Sequence, residues 1–282
     1  MEQQFYLRSI NPDGYHKIHY RQFGDPDNNN ILVCIHGLTR NAHDFDHIAR
    51  SLSDIYRVVC LDLPGRGKSD WFTNKDLYRY YQYRSDIHTL ITHLGVDKVD
   101  YLGTSLGGTI AIMMAGKDNH PFRKIIFNDI SPYLDPKLLD AITEGTGSTP
   151  MFNSIDEIKE YLKTRYAAFG NLDDEHWNHI AQYTAGEKVN GKYRLAYDPA
   201  ISYSVIDELG RNGMDIWDYW EQINVPSLVV HGLNSVVLSK EDAKRMHETG
   251  PKADILTIED AGHAPPLMCD EHIEVVREWL LK

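Results

Sequence analysis

The run Gly103-Thr104-Ser105-Leu106-Gly107, with Gly108 next, has the pattern G-x-S-x-G. A serine hydroxyl is a weak nucleophile at neutral pH and attacks a carbonyl only with a base within hydrogen-bond reach. The motif directly follows an apolar run, Val99 to Leu102, and opens a helical pattern from Leu106. A strand–turn–helix placement of this kind forces the serine into a strained turn and exposes its hydroxyl. Fourteen histidines could supply the base. His263, in Ala261-Gly262-His263-Ala264-Pro265, is the best placed, because it follows the last β-branched run, Ile255 to Ile258. Loops after parallel strands gather at one sheet edge, so Ser105 and His263 are expected side by side as nucleophile and general base.

Other residues at that edge suit the same chemistry. His36-Gly37-Leu38 ends the run Ile31 to Ile35. The backbone N–H of Leu38 can join that of Leu106 to hold a developing oxyanion. His36 itself reads as structural, bracing the loop. Arg40 has two readings: it binds a substrate carboxylate, or it is tied to a surface acid. Asp62-Leu63-Pro64-Gly65-Arg66-Gly67-Lys68-Ser69 ends like a phosphate-binding loop, but that loop needs glycine where Asp62 stands. It is therefore expected to be a structural turn.

The elements that must position these groups alternate along the chain. A hairpin, Phe5 to Ile10 and Tyr15 to Phe23, comes first. Strands follow at Ile31 to Ile35, Tyr56 to Leu61, Val99 to Leu102 and Lys124 to Phe127, with helices between them at Phe45 to Leu52, Tyr83 to Leu94 and Leu106 to Ala115. Ile87, Leu90, Ile91 and Leu94 recur at helical spacing. Continuous apolar strands alternating with helices imply a parallel sheet covered on both faces. The alternation stops from about Ser131 to Met214, where no convincing strand is seen and helices are expected at Ile155 to Arg165 and Asp173 to Thr184. It resumes with a strand at Ser227 to Val230, a helix near Lys240 to Thr249, a strand at Ile255 to Ile258 and a helix from His272 to Leu281. This implies a core of residues 1–131 and 215–282 carrying a helical cap, residues 132–214. Aromatic residues of the insertion, among them Tyr166, Phe169 and Trp177, can roof an apolar pocket or simply form the cap's own core.

With 29 Lys+Arg against 41 Asp+Glu, the net charge is −12. That balance disfavours nucleic acid or an anionic membrane surface as the main partner. The longest apolar stretch, Ile110 to Ala115, is far too short to span a bilayer, and no targeting segment is expected at the start. Cys34, Cys60 and Cys269 show no metal-binding spacing, and an odd number cannot all pair. They fit a cytoplasmic protein with reduced thiols and no metal; a small-molecule substrate is the partner expected from the serine chemistry above.

Taken in order, the histidine-glycine loop, the D-x-x-G-x-G-x-S turn, G-x-S-x-G and the late Gly262-His263 make the chain resemble the α/β-hydrolase superfamily over nearly its whole length. The resemblance implies an eight-stranded, mostly parallel sheet with helices on both faces, a cap inserted after strand six, Ser105 as nucleophile and His263 as base. One part departs from the family pattern. The family's acid usually follows strand seven, where this chain reads Gly232-Leu233-Asn234-Ser235-Val236-Val237-Leu238. Valine at 236 cannot orient an imidazole. Some members carry the acid after strand six, and Asp129 stands there. Asn128-Asp129-Ile130-Ser131-Pro132 also reads as a turn that opens the insertion, so both roles stay open for Asp129, with Glu241 and Asp242 in reserve. The leading expectation is a cofactor-independent serine hydrolase of an ester-type acyl substrate. A carbon–carbon bond hydrolase or lactonase acting on a carboxylate-bearing substrate is the alternative within the fold. From another class, Val236 motivates a ligand-binding or catalytically impaired form.

Overall fold

The computed structural model describes residues 2–147, 150–202 and 213–282. Its central sheet has eight strands: β1 (Glu2–Asn11), β2 (Gly14–Phe23), β3 (Ile31–Ile35), β4 (Arg57–Asp62), β5 (Val99–Thr104), β6 (Phe122–Asn128), β7 (Ser227–Gly232) and β8 (Asp254–Ile258). They lie in the order β1-β2-β4-β3-β5-β6-β7-β8. The β1–β2 hairpin pairs antiparallel, and β2 joins β4 antiparallel. Every pairing from β4 to β8 is parallel. The sheet is therefore mostly parallel, with an antiparallel hairpin at one edge.

Side chains alternate across a strand, and here both faces are apolar. Val33, Ile35, Val59, Leu61 and Tyr101 pack into one core layer, while Leu32, Cys34, Val58, Cys60 and Leu102 pack into the other. Helices α2 (Tyr80–Leu94) and α3 (Leu106–Ala115) cover the first face through Tyr83, Ile87, Leu90 and Ile110. Helix α1 (Asp46–Leu52) and the final helix (Asp270–Leu281) cover the second through Ile48, Leu52, Ile273 and Val276. The expected α/β architecture is present; β3 has the expected bounds, β4 is shifted by one residue, and the other strands are one to four residues longer than the apolar runs alone mark.

Between β6 and β7 lie α4 (Pro136–Gly147), α5 (Ile155–Arg165) and α6 (Asp174–Thr184). Two differences from the sequence reading occur here. Helix α4 was masked by Pro136 and Gly145; proline at the first helical position costs no hydrogen bond, and Gly145 falls in the last turn. The segment also contains strands, against expectation. Ala185–Val189 and Lys192–Leu195 pair around Asn190-Gly191, both with positive φ (51° and 81°), as a type I′ turn requires. Tyr133–Leu134 pairs with Met214–Asp215, which ties the two ends of the insertion together. Residues 148–149 and 203–212 of the expected 132–214 cap lie outside the described residues. After a short helix α7 (Trp217–Trp220), α8 (Lys240–Glu248) and α9 (Asp270–Leu281) complete the chain.

Candidate active site

Ser105 stands at the turn from β5 into α3 with φ 51° and ψ −110°, a conformation non-glycine residues avoid. Tight packing enforces it. A Cβ on Gly107 would lie 2.2 Å from the Ile35 carbonyl oxygen, and one on Gly103 would lie 2.5 Å from the Gly107 backbone. The Ser105 N–H donates to the Asn128 carbonyl at 2.9 Å, which fixes the turn against the end of β6. The Asn128 side chain donates to Thr104 Oγ1 (3.2 Å) and to the Pro265 carbonyl (2.9 Å). One amide thus joins the β5 turn, the end of β6 and the loop after β8.

That last loop carries His263, whose Nε2 is 3.0 Å from Ser105 Oγ. Its Nδ1 is 2.8 Å from Asp129 Oδ1. A carboxylate facing Nδ1 keeps the proton there and leaves Nε2 free to accept the serine hydroxyl hydrogen. The His263 side chain is 29 % exposed, whereas Asp129 is fully buried. Asp129 has φ 53° in the bend after β6, and its carboxylate also meets His263, so the local turn and the contact with the imidazole coexist.

The loop after β7 supports the buried carboxylate without supplying one. Gly232 N–H donates to Asp129 Oδ2 at 2.8 Å, and the Ser235 hydroxyl donates to Oδ1 at 2.5 Å. Ser235 Oγ in turn accepts the N–H groups of Val237 and Leu238. Gly232 is obligatory for the approach, since a Cβ there would lie 1.9 Å from the Gly262 carbonyl oxygen. Val236 is 77 % exposed and contributes no polar group. Of the reserve acids, Asp242 accepts from Ser131 Oγ, and neither it nor Glu241 bonds His263. Asn128, Gly232 and Ser235 escaped the sequence reading because their partners lie about 25 to 140 positions away.

His36 braces the loop after β3, as expected. Its Nδ1 donates to the Gly37 carbonyl (2.7 Å), and its Nε2 accepts from Leu63 N–H (3.0 Å). Burial pushes this imidazole down to about 4, so it is neutral at ordinary pH. Arg40 N–H also donates to the Gly37 carbonyl, at 3.2 Å. In a trans peptide the N–H points opposite the C=O, so these bonds aim the Leu38 N–H the other way. Leu106 opens α3, where the first N–H groups have no intrahelical acceptor and the helix dipole is positive. Asp62 accepts from His19 Nδ1, Ala42 N–H and Lys68 N–H, so the turn after β4 is a structural knot. Burial alone would raise the Asp62 carboxyl, but His19 and the other donors hold it below its ordinary value.

Ser105 and His263 open into a cavity of about 400 Å³. Its wall is largely apolar, with Leu138, Ile142, Phe169, Ile180 and Met268 among the lining side chains. Arg40 also lines it, tied to an acid of the cavity wall and not of the surface: Nε donates to both oxygens of Asp44 at 3.1 and 3.0 Å, and Nη1 donates to Thr184 Oγ1 at 2.6 Å. No group of three or more metal-ligating side chains occurs among the described residues.

A family model described as alpha/beta hydrolase fold matches residues 30–267. The chain is 36 % identical over 281 residues to a 3-hydroxybutyrate-oligomer hydrolase of Cupriavidus necator, covering 97 % of this chain and 96 % of that one. It is 24 % identical to the 2-(acetamidomethylene)succinate hydrolase of Mesorhizobium japonicum, covering 83 % and 81 %. A solved chain from Rickettsia typhi superposes with a TM-score of 0.91 at 34 % identity, covering 100 % of this chain and 99 % of that one.

Proposed function

The chain belongs to the alpha/beta hydrolase fold family and is a hydrolase, and we propose that it cleaves carboxylic esters through an acyl-enzyme formed on Ser105, without a cofactor. The observation that carries this reading is the continuous row from Ser105 Oγ through His263 to the buried Asp129 carboxylate, with links of 3.0 and 2.8 Å. His263 removes the hydroxyl proton as Ser105 Oγ attacks the ester carbonyl carbon. The N–H groups of Leu38 and Leu106 receive the oxyanion that develops. When the tetrahedral intermediate collapses, the C–O bond breaks and His263 returns the proton to the departing alcohol. Water then attacks the acyl-enzyme by the same route and releases the acid. Asp129 holds the imidazole in its working tautomer and offsets its charge when it is protonated.

The Cupriavidus relative acts on 3-hydroxybutyrate oligomers, and a short polyester of that kind suits this cavity. Each repeat presents an ester carbonyl to the serine and a methyl branch to the apolar wall. Residues 132–214 are read as a cap, supported by the paired ends of the insertion and by its contribution of Leu138, Ile142, Phe169 and Ile180 to the cavity. The carbon–carbon hydrolase and lactonase readings leaned on Arg40 as a carboxylate ligand, and its engagement with Asp44 weakens them. The impaired-form reading leaned on Val236, and a carboxylate that meets His263 from the turn after β6 weakens it.

The test is hydrolysis of a 3-hydroxybutyrate trimer and of p-nitrophenyl butyrate by the protein and by Ser105→Ala. Monomer and p-nitrophenol release that disappears in the variant is expected. No hydrolysis of either ester, or equal hydrolysis by both proteins, overturns the reading.

A further inference from the structure

Among the described residues two arginines line the cavity that holds Ser105, and their charges are met differently. The guanidinium of Arg40 is neutralised by Asp44 and held by Thr184. Arg165, the last residue of α5, has no carboxylate partner among the described residues; it is an exposed side chain at the cavity wall, with the phenol groups of Tyr161, Tyr166 and Tyr197 near its guanidinium. Its Cζ lies 6.0 Å from the centre of the Tyr166 ring. Across from it, Nη2 lies 3.0 Å from where a Cβ on Gly145 would stand, so the missing side chain leaves the guanidinium room to lie against α4. A planar cation without a carboxylate partner among the described residues thus lies beside α4 on the wall of a largely apolar cavity.

We infer that Arg165 receives a free carboxylate of the substrate, so that the preferred substrates of this site are esters ending in a carboxylate; this rests on the ester-hydrolase reading above. The protein carries a net charge of −12 and repels anions at long range. A carboxylate entering a largely apolar cavity loses hydration and needs a charge-assisted partner there. Arg40 cannot offer net charge, because Asp44 enters the cavity wall with it. Arg165 offers a fork of N–H donors that matches a carboxylate in two parallel bonds. An oligomer of a hydroxy acid has one such carboxylate, at a single end of its chain. Recognition at Arg165 therefore selects the end of the chain, not its interior.

The experiment compares kcat/KM for a 3-hydroxybutyrate trimer and for its methyl ester, in the protein and in Arg165→Gln and Arg165→Lys. The unaltered protein is expected to prefer the free acid by at least about tenfold. In Arg165→Gln the ratio of free acid to methyl ester should fall about 10- to 100-fold, through KM, the size of one charge-assisted pair. Arg165→Lys should restore part of it, since an ammonium is a point charge without the fork. A general packing role would lower both substrates equally and leave the ratio unchanged; that result overturns the inference. Ser105-dependent hydrolysis that ignores the end group overturns it too, while leaving the hydrolase reading intact. Absence of Ser105-dependent hydrolysis of either substrate overturns both.

Discussion

Asp129 and His263 stand 134 positions apart in the chain and 2.8 Å apart in space, carboxylate oxygen to Nδ1. The first directly follows β6 and the second follows β8, with β7 between them in sequence and in the sheet. The Gly232 N–H and the Ser235 hydroxyl approach the same carboxylate from the end of β7. The loop at the family's usual acid position thus serves an acid that comes from its neighbour.

Asp129→Asn should lower kcat by up to about 10⁴, the cost of an isosteric loss of such an acid in a serine protease. Asparagine tolerates the positive φ of 53° found there, so the backbone is kept. Val236→Asp should leave kcat essentially unchanged, because residue 236 is 77 % exposed and a carboxylate there stays in water. Steady-state kinetics beside thermal melts of both variants separate activity from stability. A large gain in Val236→Asp would place the working acid at the end of β7 instead.

His36 predicts a pH dependence. Its buried ring is pushed down to about 4 from 6.5. Between those values the unfolded chain binds the proton and the folded chain does not. Stability from neutral His36 is therefore full above about pH 6.5 and lost as the pH falls toward 4. At about 1.4 kcal/mol per pH unit of separation, the whole effect is roughly 3 kcal/mol. His36→Asn should be less stable at pH 7.5, having lost the acceptor for Leu63 N–H, and its stability should decline less between pH 6.5 and 4.5. His43, pushed down to about 2 mainly by burial, has the same sign and stays in the variant. The difference between the two urea-denaturation series isolates His36.

Gly107→Ala should destabilise the protein by about 3 kcal/mol or more and abolish ester hydrolysis. The new methyl would sit 2.2 Å from a carbonyl oxygen of the central strand β3, and backbone on both sides prevents relief. Thermal melting and far-ultraviolet circular dichroism check the first effect. A melting temperature unchanged from the parent would show that the turn carrying Ser105 is looser than described.

The sheet was legible because its central strands are buried on both faces and read as continuous apolar runs, as in Ile31–Ile35. Ser105 and His263 were legible because each follows such a run at the same sheet edge. The insertion was less so. Its hairpin is polar, with Glu187, Lys188 and Lys192 flanking the turn, and only the Asn190-Gly191 pair announced it. Helix α4 was hidden by a proline that the first helical position tolerates. Asp129 stayed ambiguous because its local sequence is that of a turn, and its contact with His263 depends on strand order, which local periodicity does not encode. The same holds for Asn128 and Ser235.

The most direct measurement is the mass of the protein and its peptides after brief reaction with a fluorophosphonate. Only a serine activated by an adjacent base in an open site reacts quickly. A single adduct is expected on the peptide that carries Ser105, lost in Ser105→Ala and formed much more slowly in His263→Ala. An adduct on another serine, or equal labelling of Ser105→Ala, contradicts Ser105 as the nucleophile.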